Sequence, residues 1–245
     1  MNINVTHTPE ELGQQAADRI ALELNKAIGK QGYARLALST GASQFDTLKA
    51  LVKENVDWSK VTMFHLDEYV ALSESHIASF RKYLKERFVS QVTLKEAVFV
   101  NGEGDVQANI KELTKRIIEK PIDVGVIGIG ENGHVAFNDP PADFHTKASY
   151  IVVNLDDHCK HQQVGEGWFK TVSDVPKQAV SMTVPQIMSC KVIVTSCPHA
   201  VKADAIKKTL ETKVTNMVPA TIMKTHPAWY LFIDDASAKE AFPTK

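Results

Sequence analysis

Apolar positions along this chain repeat in two alternating patterns. In "PEELGQQAADRIALELNKAI" they recur at helical spacing, with Thr8 placed as N-cap and Pro9 at the first helical position. "ARLALS" is a short unbroken apolar run that predicts a strand. A polar loop, Ser39 to Ser43, separates it from a helix over "FDTLKALVKE". "VTMFHL" predicts a second strand, "ASFRKYLKERF" and "ANIKELTKRIIEK" two helices, and "IDVGVIGI" a buried strand. Beyond it come the strand "SYIVVNL", the short helix "VPQIMS", the strand "KVIVTS", the helix "AVKADAIKKTLE" and a last strand in "AWYLFID". Strands dense in Val, Ile and Leu, separated by helices, predict a mainly parallel open α/β sheet with helices on both faces, Rossmann-like in class. No Gly/Ser-rich or Pro-rich linker, repeat or low-complexity tract interrupts the pattern, so one domain over residues 1–245 is expected.

That architecture places function at the carboxyl ends of the strands. Four loops there carry chemistry: "STGAS", "LDEYVALSESH", "GIGENGHVAFND" and "TSCPHAVK". If their strands are neighbours, they meet in one crevice.

Composition narrows the ligand. The 245 residues carry a net charge of -1, which argues against a nucleic-acid partner and against a basic membrane patch. No apolar run approaches the roughly 18 residues of a membrane span. The N-terminus has neither the basic nor the apolar region of a secretory signal. Cys159, Cys190 and Cys197 have neither an even count nor a metal-like spacing, and fit thiols in a reducing cytoplasm.

The glycines Gly128, Gly130 and Gly133 have the spacing of a dinucleotide loop. Such a loop must open a helix whose first N–H groups face the pyrophosphate. Here it runs into "HVAFNDPP", where two prolines stop a helix within about two turns. The glycines therefore let the backbone turn beside a small ligand and aim His134 at it.

Within that loop Glu131, His134 and Asp139 suit proton transfer near neutral pH, because carboxylates orient an imidazole and favour its charged form. Asp67 and Glu68 follow a strand directly, where partial burial can tune a general base. Thr40, Ser43 and the loop N–H groups can hold an anion. Without the Gly-Lys-Ser/Thr of a triphosphate loop, a monophosphate is the expected anion. Lys202 can add a point charge to it, whereas Lys207 and Lys208 read as a solvated face. No His-x-x-x-His or Cys-x-x-Cys pair occurs in these loops, so no metal is expected.

Taken together and in this order, "STGAS", "LDEYVAL", "GIGENGHVAFNDP" and "KADAIKKTLE" resemble the glucosamine-6-phosphate deaminase family, part of a wider group with the 6-phosphogluconolactonases. The likeness runs from the first helix to the last strand. Its most specific parts are Asp67–Tyr69 and the Gly-His-x-Ala-Phe-Asn run from Gly133 to Asn138. The lactonases tend instead to carry Asp-Glu-Arg and Gly-His-x-Ala-Ser-Leu-Phe-Pro. The resemblance implies a small sugar phosphate as ligand, His134 as the ring-opening residue and Asp67 as the base at C2. It places the phosphate against Ser39, Thr40, Gly41, Ala42, Ser43, Gly130 and Lys202, and requires no metal or organic cofactor. A monomer or small homo-oligomer is expected.

Three departures qualify the likeness. Asn132 stands where many members have Asp; it can orient His134 or substrate but cannot take a proton. Asp139 stands where many have Glu. The phosphate-binding Arg that the family places before a Phe-Phe pair is missing, and "VGEGWFK" offers Glu166 and Gly167 before Trp168 and Phe169. The preferred hexosamine epimer stays open, with galactosamine 6-phosphate an alternative. A lactonase and a non-catalytic sugar-phosphate sensor are the competing classes. A sensor of the regulator type would carry a helix-turn-helix ahead of the first strand, where only one helix is read.

Overall fold

A computed structural model of the protein describes residues 1–242. Its main sheet has seven parallel strands in the order β1-β10-β9-β6-β2-β3-β5. In chain order these are β1 (Asn2–Thr6), β2 (Ala34–Leu38), β3 (Val61–His65), β5 (Glu96–Val98), β6 (Val124–Val126), β9 (Val192–Ser196) and β10 (Trp229–Asp234). Three more strands, β4 (Asp67–Tyr69), β7 (Tyr150–Asn154) and β8 (Gln178–Met182), form a separate antiparallel sheet in the order β4-β8-β7.

The predicted helices form as α1 (Pro9–Gln31), α2 (Phe45–Leu51), α3 (Phe80–Leu84), α4 (Val106–Ile118), α6 (Val184–Met188) and α7 (Ala203–Glu211). The Thr8 hydroxyl caps α1, accepting from the Glu11 N–H. Two helices were not legible in the pattern, α5 (Asp157–Gly165) and α8 (Asp235–Ala238). Every residue of β2 and β6 is buried, as central parallel strands require. One core lies on each face of the sheet. α1 and α2 supply Leu12, Ile20, Leu24, Leu48 and Leu51 to one; Ile127, Ile193, Ile206, Trp229 and Leu231 belong to the other.

The expected mainly parallel sheet is observed, with one correction. "SYIVVNL" does not join it: β7 pairs antiparallel with β8, and β8 with β4. A strand's apolar run reports burial but not its partner, so the pattern could not distinguish the two sheets.

Strand order also fixes the crevice. The chain winds outward from β2 through β3 to β5, then restarts at β6 and winds the other way through β9 to β10. β2 and β6 lie side by side, paired from Leu36–Val124 to Leu38–Val126. The loops that follow them depart in opposite directions and open a cleft at this switch point.

Candidate active site

The lining of that cleft includes Ser39 through Ser43, Asp67, Gly130, His134 and Lys202. The β2 loop supplies one wall. Gly41 turns it with φ 99°, backbone that a residue with a β-carbon rarely adopts. The Tyr83 hydroxyl donates to the Gly41 carbonyl at 2.9 Å, and Gln44 Nε2 reaches across to the Ser196 carbonyl of β9 at 3.2 Å. The first bond of the turn runs from the Gln44 N–H to the Gly41 carbonyl, 3.1 Å. The loop N–H groups ahead of it face no helical acceptor, which is the arrangement that receives an anion.

Lys202 closes this end. It ends the 3-10 turn that leads into α7, is 6% exposed, and has no ion pair among the described residues. An ammonium at the end of a largely buried side chain, without a counter-charge, favours an anionic ligand. The Ser39 hydroxyl is likewise buried and without a partner among the described residues. Buried polar atoms are nearly always satisfied, so the Ser39 hydroxyl, in the same lining as Lys202, is open to a ligand.

The β6 loop supplies the opposite wall. No helix opens inside it; it turns through residues 131–133 and closes on a bridge between Val135 and Asn138. The nicotinamide reading therefore has no structural basis. His134 Nδ1 lies 2.7 Å from Asn132 Oδ1 and 3.1 Å from Asp139 Oδ1. Asn132 Nδ2 donates to the same Asp139 oxygen at 3.0 Å. Two acceptors around Nδ1 require it to carry the proton, which leaves the Nε2 lone pair available to a ligand. Asn132 and Asp139 are not part of the lining; they stand behind the imidazole and set its tautomer. Glu131 does not join them: its N–H is held by Gln162 Oε1 at 3.3 Å, and it is absent from the lining.

Asp67 begins β4, 6% exposed, with Oδ1 buried and without a partner among the described residues. Burial, and after it the neighbouring Glu68 charge, raises its pKa to about 8. The two adjacent carboxylates divide their roles by side. Glu68 points away from the cleft and accepts from the N–H groups of Tyr69, Phe80 and Arg81, the Ser79 hydroxyl and Arg81 Nε. So many donors make it a structural anchor, not a base.

The small sheet joins the Asp67 and His134 walls. Ser181 on β8 lies in register opposite Asp67, and its hydroxyl accepts from the Phe137 N–H at 3.0 Å. Asn138 Nδ2 donates to the Val135 and Met182 carbonyls, both at 2.8 Å. The Asn of the Gly-His-x-Ala-Phe-Asn run thus holds the loop that carries His134.

Sequence reasoning missed one wall. α5 brings Gln162, Gln163 and Glu166 into the lining, and Phe80 and Phe137 pack beside it. Tyr69 holds Gln163 through a 2.7 Å bond from its hydroxyl to Oε1. The usable signal was Asp156, whose side chain caps α5 by accepting from the Cys159 N–H. "DHCKHQQVG" carries too few apolar residues to show a helical stripe.

The fold and the cleft define an open parallel α/β protein in which Asp67, His134 and Lys202 line one cleft. The chain belongs to the family described as glucosamine-6-phosphate isomerases/6-phosphogluconolactonase, which matches residues 7–231. It is 36% identical over 233 residues to a glucosamine-6-phosphate deaminase of Staphylococcus epidermidis, covering 90% of this chain and 93% of that one. Against the deaminase of Oenococcus oeni the figures are 32% over 239 residues, 97% and 98%. A solved monomeric glucosamine-6-phosphate deaminase superposes with a TM-score of 0.88 at 28% identity, over 98% of this chain and 100% of the other. The 6-phosphogluconolactonase of Trypanosoma brucei shares the fold, with a TM-score of 0.79 at 16% identity. Among the described residues no helix is long and apolar enough to cross a membrane.

Proposed function

We propose that this protein converts glucosamine 6-phosphate and water to fructose 6-phosphate and ammonia, and that the whole chain acts as one aminosugar-phosphate domain. The observation that carries the reading is that Asp67, His134 and Lys202, which has no ion pair among the described residues, line one cleft.

The phosphate lies against Lys202, Ser39 and the loop from Thr40 to Ser43, with Gly130 in the same lining giving place to the His134 ring. His134 Nε2 takes the proton from the C1 hydroxyl as the ring opens and returns it to the ring oxygen. Asn132 and Asp139 hold Nδ1 and support the charge that forms in between. Asp67, once ionised, abstracts the C2 proton. The electron pair moves into a C1–C2 double bond while the aldehyde oxygen takes a proton from the C2 ammonium, giving an enolamine. Asp67 then delivers its proton to C1, leaving an iminium at C2. Water adds there, the C2–N bond breaks and ammonia departs. A carboxylic acid with a pKa near 8 suits both directions of this transfer, because proton affinity close to the working pH serves base and acid equally.

No metal or organic cofactor enters these steps. A sugar-phosphate ligand, a cytoplasmic setting and a monomeric or small homo-oligomeric state belong to the same reading; the monomeric deaminase of similar fold supports the last.

The test is kcat/KM for glucosamine 6-phosphate, galactosamine 6-phosphate and free glucosamine, following ammonia and ketose together, in wild type and Lys202→Ala. The phosphates should lead free glucosamine in wild type, and the variant should narrow that gap. Hydrolysis of 6-phosphogluconolactone with no ammonia from any amino sugar would replace the deaminase with a lactonase.

A further inference from the structure

One wall of the cleft carries a charge that the reaction above does not use. Glu166, immediately after the last residue of α5, shares the lining with Thr40, Gly41 and Lys202. Both of its carboxylate oxygens are fixed. Gln162 Nε2 donates to Oε1 at 2.7 Å and Trp168 Nε1 to Oε2 at 3.0 Å. The Trp168 ring meets Tyr83 edge-on, with centroids 6.3 Å apart, and the Tyr83 hydroxyl holds the Gly41 carbonyl. Glu166 is thereby tied to the loop that forms the anion cradle.

Its two partners are neutral donors, and it has no ion pair among the described residues. The hydrogen bonds set its position without cancelling its charge. Among the described residues Lys202 is the one lysine or arginine in the lining, so its ammonium and the Glu166 carboxylate share the cleft. A fixed carboxylate accepts hydroxyl or ammonium donors and opposes a dianion.

We propose that Glu166 is a specificity-determining residue. It opposes a dianionic phosphate in the cradle, and so limits the preference for phosphorylated over unphosphorylated sugar that Lys202 and the Ser39–Ser43 loop would otherwise impose. The proposal rests on the sugar-phosphate reading for the identity of the ligand.

Inorganic phosphate, titrated calorimetrically into wild type, Glu166→Gln, Glu166→Ala and Lys202→Ala, tests it without turnover. Removing a like charge from the lining of a partly solvated cleft should tighten phosphate binding about tenfold. Both Glu166 variants should show this, and Lys202→Ala should weaken binding. Gln keeps an oxygen for Trp168 Nε1, while Ala removes the charge without adding an amide donor. Agreement between the two therefore isolates the charge. In steady-state assays Glu166→Gln should lower KM for glucosamine 6-phosphate by a similar factor and leave KM for glucosamine within about twofold. Phosphate affinity that is unchanged or weaker in both variants overturns the proposal and leaves Glu166 as a brace for α5. Absence of ammonia release would sink the deaminase reading alone, since the titration measures binding.

Discussion

The His134 imidazole lies against Gly130 so closely that a β-carbon on Gly130 would fall 2.1 Å from Cε1 and 2.2 Å from Nε2. The ring's place in the cleft therefore depends on the absence of a side chain four residues earlier. The Gly130 N–H also donates to the His134 carbonyl at 2.9 Å, so the turn and the ring position are set together. Gly130→Ala should displace the ring from the Asn132–Asp139 pair and lower kcat at least about 100-fold, the scale of losing an acid–base group. The stability cost should be about 1–3 kcal/mol, as for overpacking elsewhere. Turnover near wild type in a folded variant would remove His134 from ring opening.

Asp67→Asn should lower kcat at least about 100-fold with little change in substrate binding. The same variant should be more stable than wild type, with a pH signature. The Asp67 pKa rises from 3.8 to about 8 on folding, so between those values the native state holds a proton that the unfolded chain has lost. Wild-type stability from this group is present below pH 3.8 and is lost as pH rises towards 8. Asn does not titrate, so the gain in Tm should grow across that window. A gain that shrinks with rising pH would contradict the burial of this carboxyl.

Free-enzyme kcat/KM should rise with pH towards a limb near 8, where Asp67 ionises. That limb should be absent from the residual activity of Asp67→Asn. A limb that persists there would belong to another group, with Asp139 the first to examine.

His65 should weaken the protein in acid. It is fully buried between Phe80 and Phe99, with ring centroids 6.5 and 6.1 Å away, and neither ring nitrogen has a hydrogen-bond partner among the described residues. Burial, followed by the nearby Arg81 charge, lowers its pKa from 6.5 to about 3. Between those values the unfolded chain binds a proton that the native state refuses, so stability falls as pH drops below 6.5, by up to about 1.4 kcal/mol per unit. His65→Phe should flatten urea-denaturation stability between pH 4 and 6. An unchanged slope would mean that the imidazole takes up its proton in the folded state.

Activity should survive dialysis against a strong chelator, and the purified protein should hold no stoichiometric zinc. Loss of activity restored by one added metal would move the chemistry from proton transfer to a Lewis acid.

The residues themselves determined much of this protein. β2, β3, β6, β9 and β10 were legible because a central parallel strand is buried on both faces and must be apolar along its length. The class of sheet followed, and with it the rule that the loops after those strands carry function. Asp67, His134 and Lys202 were legible because each is an ionisable group shortly after such a strand. β1 was not, since "NINVT" lies at a sheet edge with mostly exposed or half-buried positions. β4 and β5 span three residues each, too few to show a period.

Tertiary structure alone decided the strand order that sets β2 beside β6, and so which loops face each other across the cleft. It also decided that β4, β7 and β8 form their own sheet, which couples Asp67 to the His134 loop through Ser181. Adjacent in the chain, Asp67 and Glu68 look alike; only the alternation of β4 turns one into the cleft and the other onto Ser79 and Arg81. Gln162, Gln163 and Glu166 entered the lining through packing of α5. Local patterns report whether a position is buried, whereas contacts between distant segments depend on how the elements stack, and that is a property of the folded chain as a whole.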